Sequence, residues 1–80
     1  MHVKIEDFKT GWFGLTIGIK MDEIDRFINA LKELKQTDGH FHMRNDYMGS
    51  GGVADMEFYI QDENEQSNIE LDTSPAIYPG

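Results

Sequence analysis

Two histidines, His40 and His42, have the clearest capacity for chemistry in this 80-residue chain. They alternate with Phe41, so in a strand both imidazoles would lie on the same face. A second alternating segment carries Asp55 and Glu57, and an antiparallel hairpin would bring these carboxylates to the imidazoles. Two imidazoles with one or two carboxylates are a ligand set for zinc, nickel or iron(II). The four residues are therefore a candidate metal site.

The same four residues allow two other interpretations. Alternating His and acid residues also form an ordinary solvated sheet face, where cross-strand pairs contribute about 1 kcal/mol or less. We favour this interpretation, because the metal site depends on one hairpin register. A His beside a carboxylate is also the equipment for proton transfer, but Ser50, Ser67 and Ser74 lie in no known nucleophile context. We therefore expect no enzyme and no cofactor.

The segments around these residues predict the elements that position them. Residues His40–Arg44 and Val53–Gln61 alternate between apolar and polar, which predicts an antiparallel hairpin joined by a Gly-rich loop. Before it, apolar residues recur at spacings of three and four, which predicts an amphipathic helix from an N-cap at Asp22 to near Lys35. The apolar positions of this helix are Ile24, Phe27, Ile28, Leu31 and Leu34.

The rest of the chain predicts more strands. Alternation over Val3–Phe8 and Trp12–Lys20 indicates two strands, and Asn68–Leu71 is a candidate fifth. One helix covers one face of such a sheet. The predicted fold is α+β and two-layered, an antiparallel sheet of four or five strands covered on one face by a single helix, in ββαββ order. We expect one domain over residues 1–80, with 73–80 an irregular tail because of its prolines.

Charge is divided unevenly along the chain. All seven Lys and Arg residues lie between Lys4 and Arg44 beside seven carboxylates, whereas residues 45–80 hold eight carboxylates and no Lys or Arg. The formal charge of −8 therefore belongs to the second half. Such a surface attracts basic partners and repels phosphate backbones. We expect a binding protein for a basic protein partner, and no nucleic acid.

Composition also bears on the compartment. The absence of cysteine fits a reducing cytosol, and the first residues lack the apolar run of a signal peptide. The longest apolar stretch, Trp12–Ile19, is too short to span a bilayer. We expect a cytoplasmic protein with no membrane partner. A chain this small builds a small core, so a second copy is a further candidate partner.

Candidate partner-binding residues lie on the open face of the predicted sheet and in the polar segment after it. Three aromatic residues among them are candidate hot spots. The full set is His40, His42, Asp55, Glu57, Tyr59, Asp62, Glu63, Trp12 and Tyr47. Two strand glycines, Gly14 and Gly18, either lie under large neighbours such as Trp12 and Tyr59 or leave room for a partner; we favour the first.

A helix followed at once by Asp38-Gly39-His40-Phe41-His42-Met43, a Gly-rich loop and the acidic strand Asp55-Met56-Glu57-Phe58-Tyr59-Ile60 resembles small bacterial proteins of the immunity protein 32 type. Some of these are placed in polymorphic toxin systems. The resemblance covers roughly residues 12–62 and implies a cytoplasmic protein that binds and blocks a toxin domain, with the two histidines as the matching positions.

Two alternatives to an immunity-like inhibitor remain open. One is a metal-binding or small-ligand module that uses the four His and carboxylate residues. The other is a symmetric dimer that buries the open sheet face.

Overall fold

The structure is a computed structural model that describes residues 1–72. That part of the chain holds one helix and four strands, which confirms the predicted α+β class. The elements are β1 (His2–Asp7), β2 (Phe13–Gly18), α1 (Met21–Thr37), β3 (His40–Arg44) and β4 (Asp55–Tyr59). The predicted tail at 73–80 lies outside the described residues. No helix within residues 1–72 has both the length and the apolar character needed to cross a membrane.

The prediction of one continuous sheet is wrong for the described residues. β1 pairs with β2 and β3 pairs with β4, both antiparallel, and the two pairs form separate two-stranded sheets. We call them the first hairpin (residues 2–18) and the second hairpin (residues 40–59). An open cleft of about 310 Å³ lies between the start of β1 and the second hairpin, with Val3, Met43 and Met56 in its lining. This cleft separates the start of β1 from the second hairpin, and no backbone ladder joins the two hairpins.

The predicted fifth strand is also not formed. Residues Asn68–Leu71 have no strand conformation, and the side chains that were expected to face inward are exposed, Ile69 by 84% and Leu71 by 91%. These residues therefore add no strand to either hairpin.

The helix starts two residues earlier than predicted and ends two residues later. Its N-cap is Lys20 rather than Asp22, because the Glu23 carboxylate accepts a hydrogen bond from the Lys20 backbone N–H at 3.2 Å. Glu23 also accepts from the Met1 ammonium at 2.6 Å, which joins the start of β1 to the helix. At the other end Asp38 adopts a left-handed conformation with φ 53°, and its N–H donates to the Leu34 carbonyl at 3.0 Å.

The packed core lies between α1 and the second hairpin. Phe27 meets Phe58 and Phe41 edge-on, with ring centroids 5.7 and 6.4 Å apart, and Phe41 stacks on Phe58 at 5.1 Å. Leu34, 7% exposed, is the single buried hydrophobic residue in the part of the chain described. The period of two in β3 and β4 thus places the His and carboxylate residues on the opposite side of the second hairpin, where His42 is partly buried and the other three are exposed.

The first hairpin packs mainly on itself. Phe8 covers Gly14: a Cβ at that glycine would lie 2.7 Å from the tip of the Phe8 ring, which explains why the strand has glycine there. The covering ring therefore belongs to Phe8, not to Trp12 or Tyr59 as expected. Gly18 has no ring over it, because the nearest atom to a Cβ there is a His2 backbone oxygen at 3.8 Å.

Candidate functional site: the His–carboxylate cluster

The second hairpin brings four of the predicted site residues together. Its register sets His42 opposite Glu57 and places Asp55 opposite Arg44, one pair further along the same face. His40 lies one pair in the other direction, opposite Tyr59. We call His40, His42, Asp55 and Glu57 the His–carboxylate cluster. The metal hypothesis required a hairpin register that puts both histidines and both carboxylates on one face, and the structure has such a register.

His42 is the central residue of the cluster. Its Nδ1 lies 3.0 Å from both carboxylate oxygens of Asp55. An ionised carboxylate only accepts hydrogen bonds, so Nδ1 carries the ring proton and donates a hydrogen bond to Asp55. The other ring nitrogen, Nε2, lies 3.5 Å from Glu57 Oε1. Asp55 therefore fixes the ring orientation in which Nε2 faces the remaining members of the cluster.

His40 completes a group of three ligand atoms. Its Nε2 lies 4.0 Å from Glu57 Oε1, and its ring stands edge-on to His42 with centroids 5.1 Å apart. One ligand atom each from His40, His42 and Glu57 lies within 4.8 Å of the others. Asp55 stands outside this group on the far nitrogen of His42, where it is shared with Arg44 Nε at 3.6 Å.

This arrangement has the parts of a three-ligand metal site with a supporting carboxylate. Zinc binds imidazole nitrogen and carboxylate oxygen at about 2.0–2.2 Å, so tetrahedral ligands lie about 3.3 Å apart. The three ligand atoms of this group lie somewhat further apart, within 4.8 Å of one another, and the His40 and Glu57 side chains are 58% and 50% exposed. A fourth position would face solvent. Without metal, the same contacts form a network of surface ion pairs. Each such pair contributes at most about 1 kcal/mol to the free energy of unfolding.

Three more predicted residues continue from the end of β4. The Tyr59 hydroxyl donates a hydrogen bond to Glu65, and this contact raises the pKa of Tyr59 because the phenolate would lose the bond and face a carboxylate. Asp62 opens a turn in which the Glu65 N–H donates to its carbonyl at 3.0 Å. Glu63 lies exposed in the same turn. The acidic surface, defined as Glu57, Asp62, Glu63 and Glu65, is thus held beside the cluster.

The two remaining aromatic candidates lie elsewhere. Trp12, 75% exposed, belongs to the loop of the first hairpin, where its carbonyl accepts from the Phe8 N–H. Tyr47, 73% exposed, lies in the loop between β3 and β4, where its N–H donates to Asn45 Oδ1 at 2.7 Å. The second hairpin therefore holds most of the predicted binding residues, while Trp12 is placed on a different sheet.

Two residues that take part in these contacts were absent from the predicted set. Arg44 follows His42 by two positions, so strand alternation alone already placed it on the same face. The contact of Glu65 with Tyr59 had no such signal, because it depends on the turn that begins at Asp62. Periodicity finds neighbours within strands and does not find neighbours across an irregular turn.

Comparison with known proteins finds no relative: no family model, no curated protein and no solved structure matches this chain. The resemblance to the immunity protein 32 type therefore stays a prediction.

Proposed function

We propose that this chain is a small acidic binding protein of the cytoplasm that engages a basic surface of a partner protein, in the manner of an inhibitor that blocks a toxin domain. The observation that supports the proposal is the acidic surface at the end of the second hairpin, in a half of the sequence that has no Lys or Arg after Arg44. Such a protein needs no catalytic activity, and neither nucleic acid nor a membrane is its partner.

The physical basis is long-range attraction. Asp62, Glu63 and Glu65 are exposed and share one turn, and Glu57 lies on the adjoining strand. Grouped carboxylates without interspersed cations raise the rate at which a positively charged surface is encountered. Arg44 and His42 are both directed at Asp55, so that carboxylate contributes less to the field than the other four.

Purified basic nuclease toxin domains are suitable probes. Native mass spectrometry should detect a one-to-one complex with a cognate domain, and stopped-flow fluorescence should measure its association rate. We expect the double variant Glu57→Gln, Asp62→Asn to slow association about three- to tenfold at low salt. The difference should shrink at high salt, because exposed charges are then screened.

The matched control removes the same charge elsewhere. Glu6 on β1 and Asp25 on α1 are exposed and lie outside the acidic surface. A Glu6→Gln, Asp25→Asn variant should change the rate much less. Equal slowing by both double variants would show that net charge alone acts, and the absence of a complex with any basic domain would refute the proposal.

A second candidate function, binding of a transition metal such as zinc, is favoured by one specific observation. The Asp55–His42 contact leaves Nε2 of His42 directed toward Glu57, as in metal sites where a carboxylate orients a ligating imidazole. His40 supplies the third ligand atom.

Zinc titration followed by calorimetry and native mass spectrometry tests this candidate. We expect one equivalent of zinc, lost in His42→Ala, and an affinity about 10–100-fold weaker in Asp55→Asn because the carboxylate orients the ligand. His2→Ala is the matched control, since the chain has three histidines and His2 lies on the first hairpin. Equal loss in the His2 variant, or no zinc bound to the wild type, would contradict a site at this cluster.

A further inference from the structure

The first hairpin exposes an apolar face that nothing in the described part of the chain covers. Its cross-strand pairs on this face are Val3 with Ile17 at the base, Ile5 with Leu15 in the middle, and Asp7 with Phe13 near the loop. Exposure increases in the same direction, from 41% at Ile17 to 55% at Ile5 and 64% at Phe13. The hairpin is therefore an arm that contacts the rest of the molecule at its base.

The helix has an uncovered apolar strip of its own. Phe27 and Leu34 lie on the side that packs against the second hairpin. Ile24, Ile28 and Leu31 recur at spacings of four and three on a neighbouring side, and they are 38%, 42% and 43% exposed. We call these three residues the helix strip. In one chain the arm does not cover it, because substantial packing between elements is limited to each hairpin and to α1 with β3.

The exposed area is larger than a folded chain of this size should have. The chain has 7777 Å² of accessible surface. A compact 9.2 kDa protein has about 4,900 Å². The chain therefore exposes about 2,900 Å² more than a compact protein of its mass. A standard interface removes about 800 Å² from each partner, so the excess is enough for one.

Charge favours a second copy over a charged partner at this surface. The arm and the helix strip lie within the segment from Lys4 to Arg44 that holds equal numbers of basic and acidic residues. Two copies can therefore meet there without the repulsion that the second half would produce. Only Ile19 and Lys20 separate β2 from α1, and short connections of this kind favour the exchange of an element between copies.

We propose that two copies of this chain form a symmetric dimer in which the apolar face of each first hairpin packs on the helix strip of the other copy. The two contacts are related by the two-fold axis, so the assembly closes at two chains. In each copy the helix strip is then packed against a β-sheet, as the sequence predicts for the apolar side of the helix. The His–carboxylate cluster on the second hairpin and the acidic surface at its end remain available to another partner.

Native mass spectrometry and light scattering over a wide concentration range test the dimer. We expect a species of twice 9.2 kDa that dissociates on dilution. Leu15→Glu in the arm and Ile28→Glu in the helix strip should each give the single-chain mass, because a carboxylate would be buried against apolar side chains. Thr16→Glu is the matched control: it lies next to Leu15 on the opposite face of β2 and should leave the dimer intact.

Single cysteines identify which surfaces meet, and they keep the test valid if a glutamate variant fails to fold. The chain has no native cysteine, so Leu15→Cys and Ile28→Cys each introduce one thiol. When the two variants are mixed and oxidised, we expect a covalent dimer with one chain of each kind. Disulfide formation by Leu15→Cys alone would show arm-to-arm contact and overturn the proposal. A single-chain mass at every concentration would also overturn it, and would leave the surface to a different protein.

Discussion

The two hairpins of this protein have the same alternating pattern and the same antiparallel pairing, yet only one of them is packed. The second hairpin places Phe41 and Phe58 under Phe27 of the helix. The first hairpin leaves Leu15 and Phe13 more than half exposed, at 62% and 64%. The comparison shows that an amphipathic strand pair specifies which face is apolar without specifying what covers it. The cover depends on the helix, and the helix here packs on one hairpin.

The largest expected effect comes from comparing one phenylalanine of each region. Phe27→Ala should lower the free energy of unfolding by about 3 kcal/mol, because it removes the ring that contacts both Phe41 and Phe58. Phe13→Ala in the first hairpin should change it by about 0.5 kcal/mol or less at concentrations where the chains are separate. Urea denaturation followed by circular dichroism measures both. Equal losses would mean that the first hairpin is packed in solution as tightly as the second.

A smaller effect is expected at the contact that joins the two regions. The Met1 ammonium and the Lys20 N–H both donate to Glu23 and hold the pKa of its carboxyl below the ordinary value. Since the folded-state pKa is lowered, the contribution to stability is complete above the unfolded pKa and is lost as the pH falls through the folded one. Glu23→Gln should therefore lower the urea midpoint at neutral pH, with the difference disappearing in acid.

Glu33→Gln on the same helix is the control for Glu23, because residue 33 is exposed and lies far from the helix N-terminus. It should leave the neutral-pH midpoint almost unchanged. A Glu23 difference that persisted undiminished in acid would show that the contact does not involve the ionised carboxyl.

The smallest expected effect lies at the end of the second hairpin. The contact with Glu65 raises the pKa of Tyr59, so its contribution to stability is present below the unfolded pKa and is lost as the pH rises through the folded one. Glu65→Gln should move the alkaline absorbance transition of Tyr59 to lower pH. The measurement needs a Tyr47→Phe, Tyr78→Phe background, because the chain has three tyrosines. An unmoved transition would argue that the turn from Asp62 does not hold Glu65 beside the phenol.

Local pattern in the sequence predicted the elements well. The spacing of apolar residues placed the helix from Asp22 to near Lys35, and the structure has it at Met21–Thr37. Alternation placed β3 at His40–Arg44, which is its observed range. The predicted N-cap was wrong because the Glu23 side chain, at the third helical position, accepts from the backbone N–H of Lys20, and lysine is not a usual N-cap residue.

Contacts between elements were harder to predict. A period of two states that Val3, Ile5, Leu15 and Ile17 share a face, but it does not state whether that face meets the helix of the same chain. The single sheet was therefore wrong, while the His–carboxylate cluster was brought together as expected because it depends on one local hairpin. The predicted pairing of two strands joined by one loop is observed. The predicted joining of both hairpins into one sheet is not.

The separation into two small sheets also affects solubility. Each described strand pairs on one side alone, so all four have an open edge whose N–H and C=O groups can extend a foreign β-sheet. Mutual repulsion between chains of charge −8 opposes such stacking at neutral pH. Acidification toward the isoelectric point of about 4.6 removes that repulsion and leaves the edges as they are. Precipitation of this protein should therefore be a sharply acid-dependent event.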